Sequence, residues 1–142
     1  MEIFNILVIC AGNSCRSQIA EGYLKFYKNK LNISANIYSA GIRAEGVNQR
    51  AIEIMSKDNI DISSHSSNTI DEYLNKDISH VITVCDHANE SCPIYFKKTH
   101  FTHHNFVDPS KISGSELEIK KAFLKCRDEI KIFSEQYLKK HF

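Results

Sequence analysis

Short runs of apolar residues alternate along this chain with longer segments in which apolar and polar residues are mixed. The runs are rich in isoleucine, leucine, valine and phenylalanine, which is typical of strands buried on both faces of a parallel sheet. This pattern predicts strands over residues 2–9, 35–39, 80–84 and 100–106. It also predicts a short extended piece around Ile60 and Ile62, which flank Asp61.

The mixed segments carry apolar residues at helical spacing. They predict helices over residues 17–31, 48–58 and 115–140, with a helical turn over residues 70–74. Ser17 is the predicted N-cap of the first helix, because a serine hydroxyl accepts from a free backbone N–H. Strands that alternate with helices indicate an α/β fold with a parallel sheet and right-handed crossovers.

Length and composition are those of an ordinary globular domain. The 142 residues suffice for one core, so we treat residues 1–142 as a single domain. The formal net charge is +1, which gives no reason to expect nucleic acid as a partner. No apolar run reaches the roughly 20 residues of a membrane helix, and the first run lacks a basic start. We therefore expect a cytoplasmic protein that does not bind membranes.

Cysteine usage favours chemistry over structural cross-links. Stable disulfides are rare in a reducing compartment, so several cysteines there indicate metal binding or redox catalysis. Their spacing forms no pair of C-x-x-C knuckles, which makes a structural zinc site a poor fit. The five residues are Cys10, Cys15, Cys85, Cys92 and Cys126.

The strongest local signal is a C-x5-R-S loop between the first strand and the first helix. Consecutive backbone N–H groups in such a loop form a nest for a tetrahedral anion, and the helix N-terminus adds its positive dipole end. The planar fork of an arginine grips two anion oxygens. The loop therefore predicts an oxyanion site at the carboxyl edge of the sheet. Its anion-binding residues are Ala11, Gly12, Asn13, Ser14, Cys15 and Arg16.

The same field acts on the thiol of Cys10. A helix N-terminus and a neighbouring arginine stabilise a thiolate, which makes Cys10 the candidate nucleophile. Ser17 is placed to donate a hydrogen bond to that sulfur.

This loop resembles that of the low-molecular-weight protein tyrosine phosphatases, which share C-x-G-N-x-C-R-S. The resemblance implies a three-layer sandwich, with a four-stranded parallel sheet flanked by helices. It makes Cys10 the nucleophile and Arg16 the oxyanion-binding side chain. It also implies a general acid in an Asp-Pro loop, which Asp108-Pro109 matches. The family's phosphatases usually carry tyrosines after this Asp-Pro, but here Ser110 and Lys111 follow.

A second motif distinguishes this chain from a simple phosphatase. Residues 82–93 read I-T-V-C-x6-C-P, which places Cys85 at the end of the third predicted strand and Cys92 seven residues later. The pattern resembles that of the thioredoxin-coupled arsenate reductases. The resemblance extends over most of the chain, with further matching stretches at residues 12–22, 38–41, 60–63 and 127–130.

The resemblance to these reductases implies a thiol relay. Cys10 attacks the arsenic of arsenate while Asp108 protonates the departing oxygen. Cys85 then forms a transient disulfide with Cys10 and releases As(III), and Cys92 forms the final Cys85–Cys92 disulfide. Thioredoxin is the implied reductant, phosphate and sulfate are the implied substrate analogues, and no cofactor is required. We expect the protein to act as a monomer.

Helix geometry adds a condition to the relay. If the segment from Cys85 to Cys92 is helical when reduced, the two Cα atoms lie about 10 Å apart. A disulfide needs Cα atoms within about 7 Å. We therefore predict that the segment from Cys85 to about Lys98 remodels on oxidation.

Some reductases of this kind hold a potassium ion beside the loop. The ligands that the resemblance implies are Asn13, Glu21, Ser39 and Asn68. The last position is an asparagine where the pattern has an aspartate, which weakens a cation site.

The remaining candidates have simpler interpretations. Cys15 belongs to the loop in phosphatases as well, and either packs or pairs with Cys10 under oxidation. Cys126 lies on the apolar stripe of the last helix and is predicted to be core. Three histidines, His100, His103 and His104, do not share one face of a strand, so packing roles are expected.

Two alternatives to an arsenate reductase remain at this point. One is a phosphatase that hydrolyses phosphate monoesters through a phosphorylated Cys10. The other is a non-enzymatic module that binds an oxyanion or senses redox state through Cys10.

Overall fold

A four-stranded parallel sheet forms the centre of the molecule. The computed structural model describes residues 3–142. The sheet has the order β2-β1-β3-β4, and each neighbouring pair is parallel. The predicted fold class is confirmed: helices flank a four-stranded parallel sheet. The strands are β1 (Phe4–Cys10), β2 (Ala35–Gly41), β3 (His80–Thr83) and β4 (His100–His103).

Within residues 3–142, five α-helices and two short 3-10 helices connect the strands or follow the last of them. The first and the last α-helix pack against each other, and the third contacts β1 and β3. The 3-10 helices are Ile70–Tyr73 and Pro109–Lys111. The α-helices are α1 (Arg16–Lys30), α2 (Gln49–Lys57), α3 (Asp86–Ser91), α4 (Ile94–Lys97) and α5 (Glu116–His141).

Strand β1 lies between two neighbours, and its central residues Ile6–Ile9 are fully buried. This is the environment that its unbroken apolar run predicts. Because β1 and β3 are adjacent and parallel, the loops after Cys10 and after Thr83 leave the sheet at the same edge. Among residues 3–142, no helix is both long and apolar enough to cross a membrane.

Some predicted boundaries are wrong. The fourth strand ends at His103, although backbone hydrogen bonds to Thr83 and Val84 continue as far as Phe106. The piece around Ile60 and Ile62 forms no strand, and both side chains pack instead beside Gly22 of α1. Residue 2, the predicted start of the first strand, lies outside the described residues.

Candidate functional site

The loop after β1 turns its carbonyl groups away from a pocket. In a trans peptide the N–H points opposite to the C=O, so the N–H groups of this loop face the pocket side. Four carbonyls accept backbone N–H groups of the segment after β2 at 2.8–3.2 Å: Cys10 from Ile42, Ala11 from Arg43, Gly12 from Glu45 and Ser14 from Asn48. These four hydrogen bonds to the segment after β2 therefore hold the loop in the shape of a nest.

Asn13 fixes the sharpest turn of the loop. Its φ angle of 47° is left-handed, a conformation that asparagine tolerates better than most residues. Its carbonyl accepts from Gln18 Nε2 and from Ser67 Oγ, and its amide donates to Ser17 and Ser39. Asn13 is fully buried, so these contacts make it the internal brace of the loop.

The pocket enclosed by this loop has a volume of about 110 Å³. A space of this size suits a small tetrahedral anion better than a bulky organic substrate. The loop residues on its wall are those predicted, with Asn13 as the exception because it lies behind the wall. The lining residues are Cys10, Ala11, Gly12, Ser14, Cys15, Arg16, Arg43, Glu45, Asp108, Ser110 and Lys111.

The sulfur of Cys10 lies 2.9 Å from the hydroxyl of Ser17. Because that hydroxyl already accepts from Asn13 Nδ2 at 2.8 Å, its own proton is free to donate to the sulfur. The predicted N-cap role of Ser17 is wrong. The helix α1 begins at Arg16, so Cys15 is its N-cap, and Cys15 forms no side-chain capping bond. Ser17 lies inside the first turn, where its hydroxyl contacts the Cys10 sulfur.

Arg16 and Asp108 meet at the mouth of the pocket. The guanidinium donates through Nη1 to the carbonyl of Phe106 at 2.8 Å, and its Nη2 lies 3.3 Å from Asp108 Oδ2. The other carboxylate oxygen of Asp108 accepts from the backbone N–H and the hydroxyl of Ser110, at 3.0 and 2.7 Å. The structure thus brings the predicted acid, Asp108, to the same pocket as Cys10.

Cys85 and Cys92 lie at the two ends of α3. Cys85 is the N-cap, and its sulfur accepts from the Ala88 N–H at 3.4 Å, while Cys92 is the C-cap. Both are buried free thiols, and burial raises the pKa of Cys92. The segment between them is helical, so the condition for the predicted remodelling is met. Neither thiol lines the pocket.

The residues implied as potassium ligands are close together, but their oxygens are engaged by protein donors. Ser39 donates to Glu21 Oε1 at 2.5 Å, and Asn13 Oδ1 accepts the backbone N–H of Asn68. The side-chain oxygen of Asn68 accepts from Ser66.

A lysine and a histidine that the sequence analysis missed lie beside Glu21. Lys25 Nζ is 2.5 Å from Glu21 Oε2, and His65 Nε2 is 3.5 Å from it. Burial lowers the pKa of His65. Because Lys25 already supplies a positive charge and the candidate oxygens have partners, this donor set does not fit a potassium ion.

The two other cysteines pack. Cys126 is a buried residue of α5, as predicted, and burial raises its pKa to about 12. Burial is also the largest of the causes that raise the pKa of Cys15. Protonated thiols are poor nucleophiles, so the favoured packing role of Cys15 fits its surroundings.

The three histidines were predicted to pack; His100 and His104 do so, while His103 forms hydrogen bonds. His100 stacks on His80, with ring centroids 4.7 Å apart, and His104 contacts the ring of Phe106. His103 bridges Thr83 and Asp86 through its two ring nitrogens, each at 2.8 Å. Within residues 3–142, no cluster of three or more His, Cys, Asp or Glu side chains is arranged to hold a metal ion.

Comparison with known proteins identifies the family. Residues 5–141 match the model of the low molecular weight phosphotyrosine protein phosphatases. The chain belongs to this family. A curated relative, Arsenate reductase 1 of Staphylococcus saprophyticus, is 43% identical over 137 residues, which cover 96% of this chain and 98% of that protein.

Solved structures of the family share the fold. One, described as an arsenate reductase in oxidized state, is 25% identical with a TM-score of 0.81, over 97% of this chain and 98% of that one. Another is the low molecular weight protein tyrosine phosphatase from T. tengcongensis. It is 21% identical with a TM-score of 0.82, over 96% and 99% of the two chains.

In this member of the family, three charged residues at the pocket rim were not predicted. Arg43, Glu45 and Lys111 line the mouth. The only sequence signal for the first two is that they follow β2, whose carboxyl end lies beside that of β1. Their approach depends on Gly41, where a Cβ would lie 2.2 Å from the Arg43 carbonyl oxygen and 2.7 Å from Asn13 N.

Proposed function

We propose that this protein reduces arsenate to arsenite through Cys10, Cys85 and Cys92, and that thioredoxin regenerates it. The observation that carries the proposal is the pair of thiols Cys85 and Cys92 at the two ends of α3. This helix follows β3, which lies next to β1, the strand that ends at the anion nest. A phosphatase needs the nest and the acid but has no use for this pair. The curated relative named arsenate reductase supports the same reaction.

The first step uses the pocket. An arsenate ion is tetrahedral like phosphate, and the inward N–H groups and Arg16 suit its charge. The Cys10 thiolate attacks arsenic, and an oxygen leaves as water with a proton from Asp108. Arg16 must turn part of its fork from Asp108 to the anion, which also frees the carboxyl group to carry that proton.

The electron transfer occurs in the second step. The sulfur of Cys85 attacks the sulfur of Cys10, a disulfide forms, and the sulfur–arsenic bond breaks. The electron pair of that bond stays on arsenic, which leaves as arsenite, while the two sulfurs are oxidised together. Cys92 then attacks Cys85, Cys10 leaves as a thiolate, and the Cys85–Cys92 disulfide passes to an external dithiol.

The third step requires α3 to unwind. Cys85 and Cys92 cap the six-residue helix Asp86–Ser91 from opposite ends, a separation too long for a disulfide. Unwinding releases both sulfurs from the core and presents the new disulfide to thioredoxin.

Arsenate-dependent consumption of NADPH, with thioredoxin and its reductase, tests the relay. We expect wild type and Cys126→Ser, the matched control, to turn over. Cys85→Ser and Cys92→Ser should fall to background, because each lacks one disulfide step. Equal rates in all four proteins would rule out the relay.

Cys10→Ser separates an enzyme from a binding module. It should abolish turnover but retain phosphate binding, since backbone N–H groups and Arg16 form the nest. Retained turnover would show that Cys10 is not the nucleophile.

Phosphatase activity is the second candidate, because the family membership and the complete pocket favour it independently of Cys85 and Cys92. Hydrolysis of a chromogenic phosphate ester by Cys85→Ser, at a rate far above its arsenate reduction, would favour this function instead.

We propose further that the reaction needs no cofactor and no potassium ion, because Lys25 neutralises Glu21 directly. Turnover should be equal in potassium and in choline salts of the same ionic strength. A rate several-fold higher in potassium would contradict this.

We also expect the protein to act as a monomer in the cytoplasm, with all the reacting residues in one chain.

A further inference from the structure

A carboxylate stands over the anion nest. The backbone N–H of Glu45 donates to the Gly12 carbonyl at 2.9 Å, which fixes its main chain against the loop. The side chain then covers Gly12: a Cβ at that position would lie 2.3 Å from Glu45 Oε1. The missing side chain of Gly12 is therefore what gives the Glu45 carboxylate its place at the pocket wall.

Arg43 holds this carboxylate from one side. Its Nε and Nη2 both donate to the same oxygen, Glu45 Oε1, at 3.2 and 2.9 Å. Among residues 3–142 the second oxygen, Oε2, accepts no hydrogen bond. The rim thus presents one uncommitted carboxylate oxygen.

A carboxylate is an unusual wall for an anion site, because it repels a bound anion across a small pocket. The repulsion is relieved if the anion carries a proton, since a hydroxyl can donate to a carboxylate oxygen. Free arsenate and phosphate carry such a hydroxyl in both their singly and their doubly charged forms. The dianion of a phosphate monoester has an ester group in its place and no proton to donate.

We propose that Glu45 is a specificity-determining residue, which accepts a hydrogen bond from the hydroxyl of a protonated tetrahedral oxyanion and thereby disfavours phosphate monoester dianions. Arg43 is a positioning residue that acts through Glu45. The inference deepens the proposed function, because it explains selection of a free oxyanion, but it rests on the anion pocket alone and not on the relay.

Protection of Cys10 from alkylation measures binding without any turnover. The full-length reduced protein is treated with iodoacetamide, and modification of Cys10 is followed by peptide mass spectrometry. Inorganic phosphate and phenyl phosphate are the protecting ligands, each tested below and above its second pKa. The ratio of rates with and without ligand at one pH cancels the effect of pH on the thiol itself.

In wild type we expect phosphate to protect on both sides of its second pKa, because its dianion keeps one hydroxyl. Phenyl phosphate should protect several-fold less well above its second pKa, where it has no proton left to donate. In Glu45→Gln the loss of protection by phenyl phosphate at high pH should be much smaller. Protection by the phenyl phosphate dianion should rise by about tenfold, because the like charge is gone. Arg43→Gln should weaken protection by both ligands, since it leaves the carboxylate unpaired.

Glu53→Gln is the matched control, because Glu53 is an exposed carboxylate on α2 away from the pocket. Identical pH trends in wild type and Glu45→Gln would overturn the proposal, and so would an equal change in Glu53→Gln, which would indicate net charge alone. Thermal unfolding checks that each variant is folded. Failure of the NADPH assay would overturn the relay but leave this result intact.

Discussion

The Ser17 hydroxyl lies between the Asn13 amide and the Cys10 sulfur, and these two contacts define its role. Its hydroxyl is fully buried, accepts from Asn13 and faces the Cys10 sulfur. A hydroxyl oriented in this way stabilises a thiolate more than a thiol, because the charged acceptor forms the stronger hydrogen bond.

Ser17→Ala should therefore make the Cys10 sulfur a poorer nucleophile, because it removes the hydroxyl that lies 2.9 Å away. We expect the alkylation rate of Cys10 to fall by about tenfold, the loss typical of one hydrogen bond to a charged group. Ser17→Thr, which keeps the hydroxyl, is the control. If the alanine variant reacts as fast as wild type across the pH range, the hydroxyl does not support the thiolate.

Ser110 orients the carboxyl group of Asp108 through two hydrogen bonds. Its N–H and hydroxyl both bind Oδ1, which leaves Oδ2 directed at Arg16 and the pocket. Losing the hydroxyl bond in Ser110→Ala should reduce kcat for arsenate by roughly three- to tenfold, because one hydrogen bond no longer orients the acid. KM should change little, and Ser110→Thr should restore kcat. A changed KM with an unchanged kcat would assign Ser110 to binding instead.

At the scale of elements, α3 is held in place by polar contacts outside the helix. The Asp86 N–H donates to Asn105, and the Asp86 carboxylate contacts His103, which in turn contacts Thr83. The helix is only six residues long, so its own hydrogen bonds stabilise it weakly. A short helix attached at one end is suited to unwinding from the other.

Oxidation of Cys85 and Cys92 should expose the amides of α3. We expect hydrogen exchange over residues 85–98 to quicken by at least tenfold in the oxidised protein, while β1 and α5 stay protected. Cys92→Ser treated with the same oxidant is the control. Equal exchange in the reduced and oxidised protein would contradict the predicted remodelling.

At the scale of the whole molecule, a histidine cluster at the edge opposite the pocket makes stability depend on pH. His80 is buried and stacks on His100, with His141 nearby. Burial, together with these two histidines, lowers the pKa of His80 to about 4. The unfolded chain has an ordinary histidine pKa of about 6.5, so it binds more protons than the folded chain between these two values.

Stability should therefore be complete near neutral pH and decline as the pH falls from about 6.5 to about 4. We expect His80 to account for roughly 2 kcal/mol of that decline, after allowance for solvent screening. Urea unfolding of wild type and His80→Phe over this range measures the effect, with the exposed His87 changed to Gln as the control. Equal pH slopes in wild type and His80→Phe would assign the decline to other groups.

The fold was predictable to the extent that it follows from local patterns. Unbroken apolar runs identified the four strands, and Asn48 and Ser115 cap α2 and α5 close to where the periodicity begins. The end of β4 was not predictable, because it depends on where the neighbouring strand β3 stops supplying hydrogen bonds. The helix α4 has only four residues, too few to show a helical periodicity.

The sequence by itself determined the reacting groups of this protein. The spacing from Cys10 to Ser17 requires a loop of N–H groups, and the order of strands and helices requires that loop to lie at the carboxyl edge of the sheet. Only the tertiary structure decided which distant residues join them. Glu45 stands over Gly12, Asp108 reaches Arg16, and Ser17 faces Cys10 instead of capping its helix. Such contacts depend on the packing of separate segments, which no local pattern records.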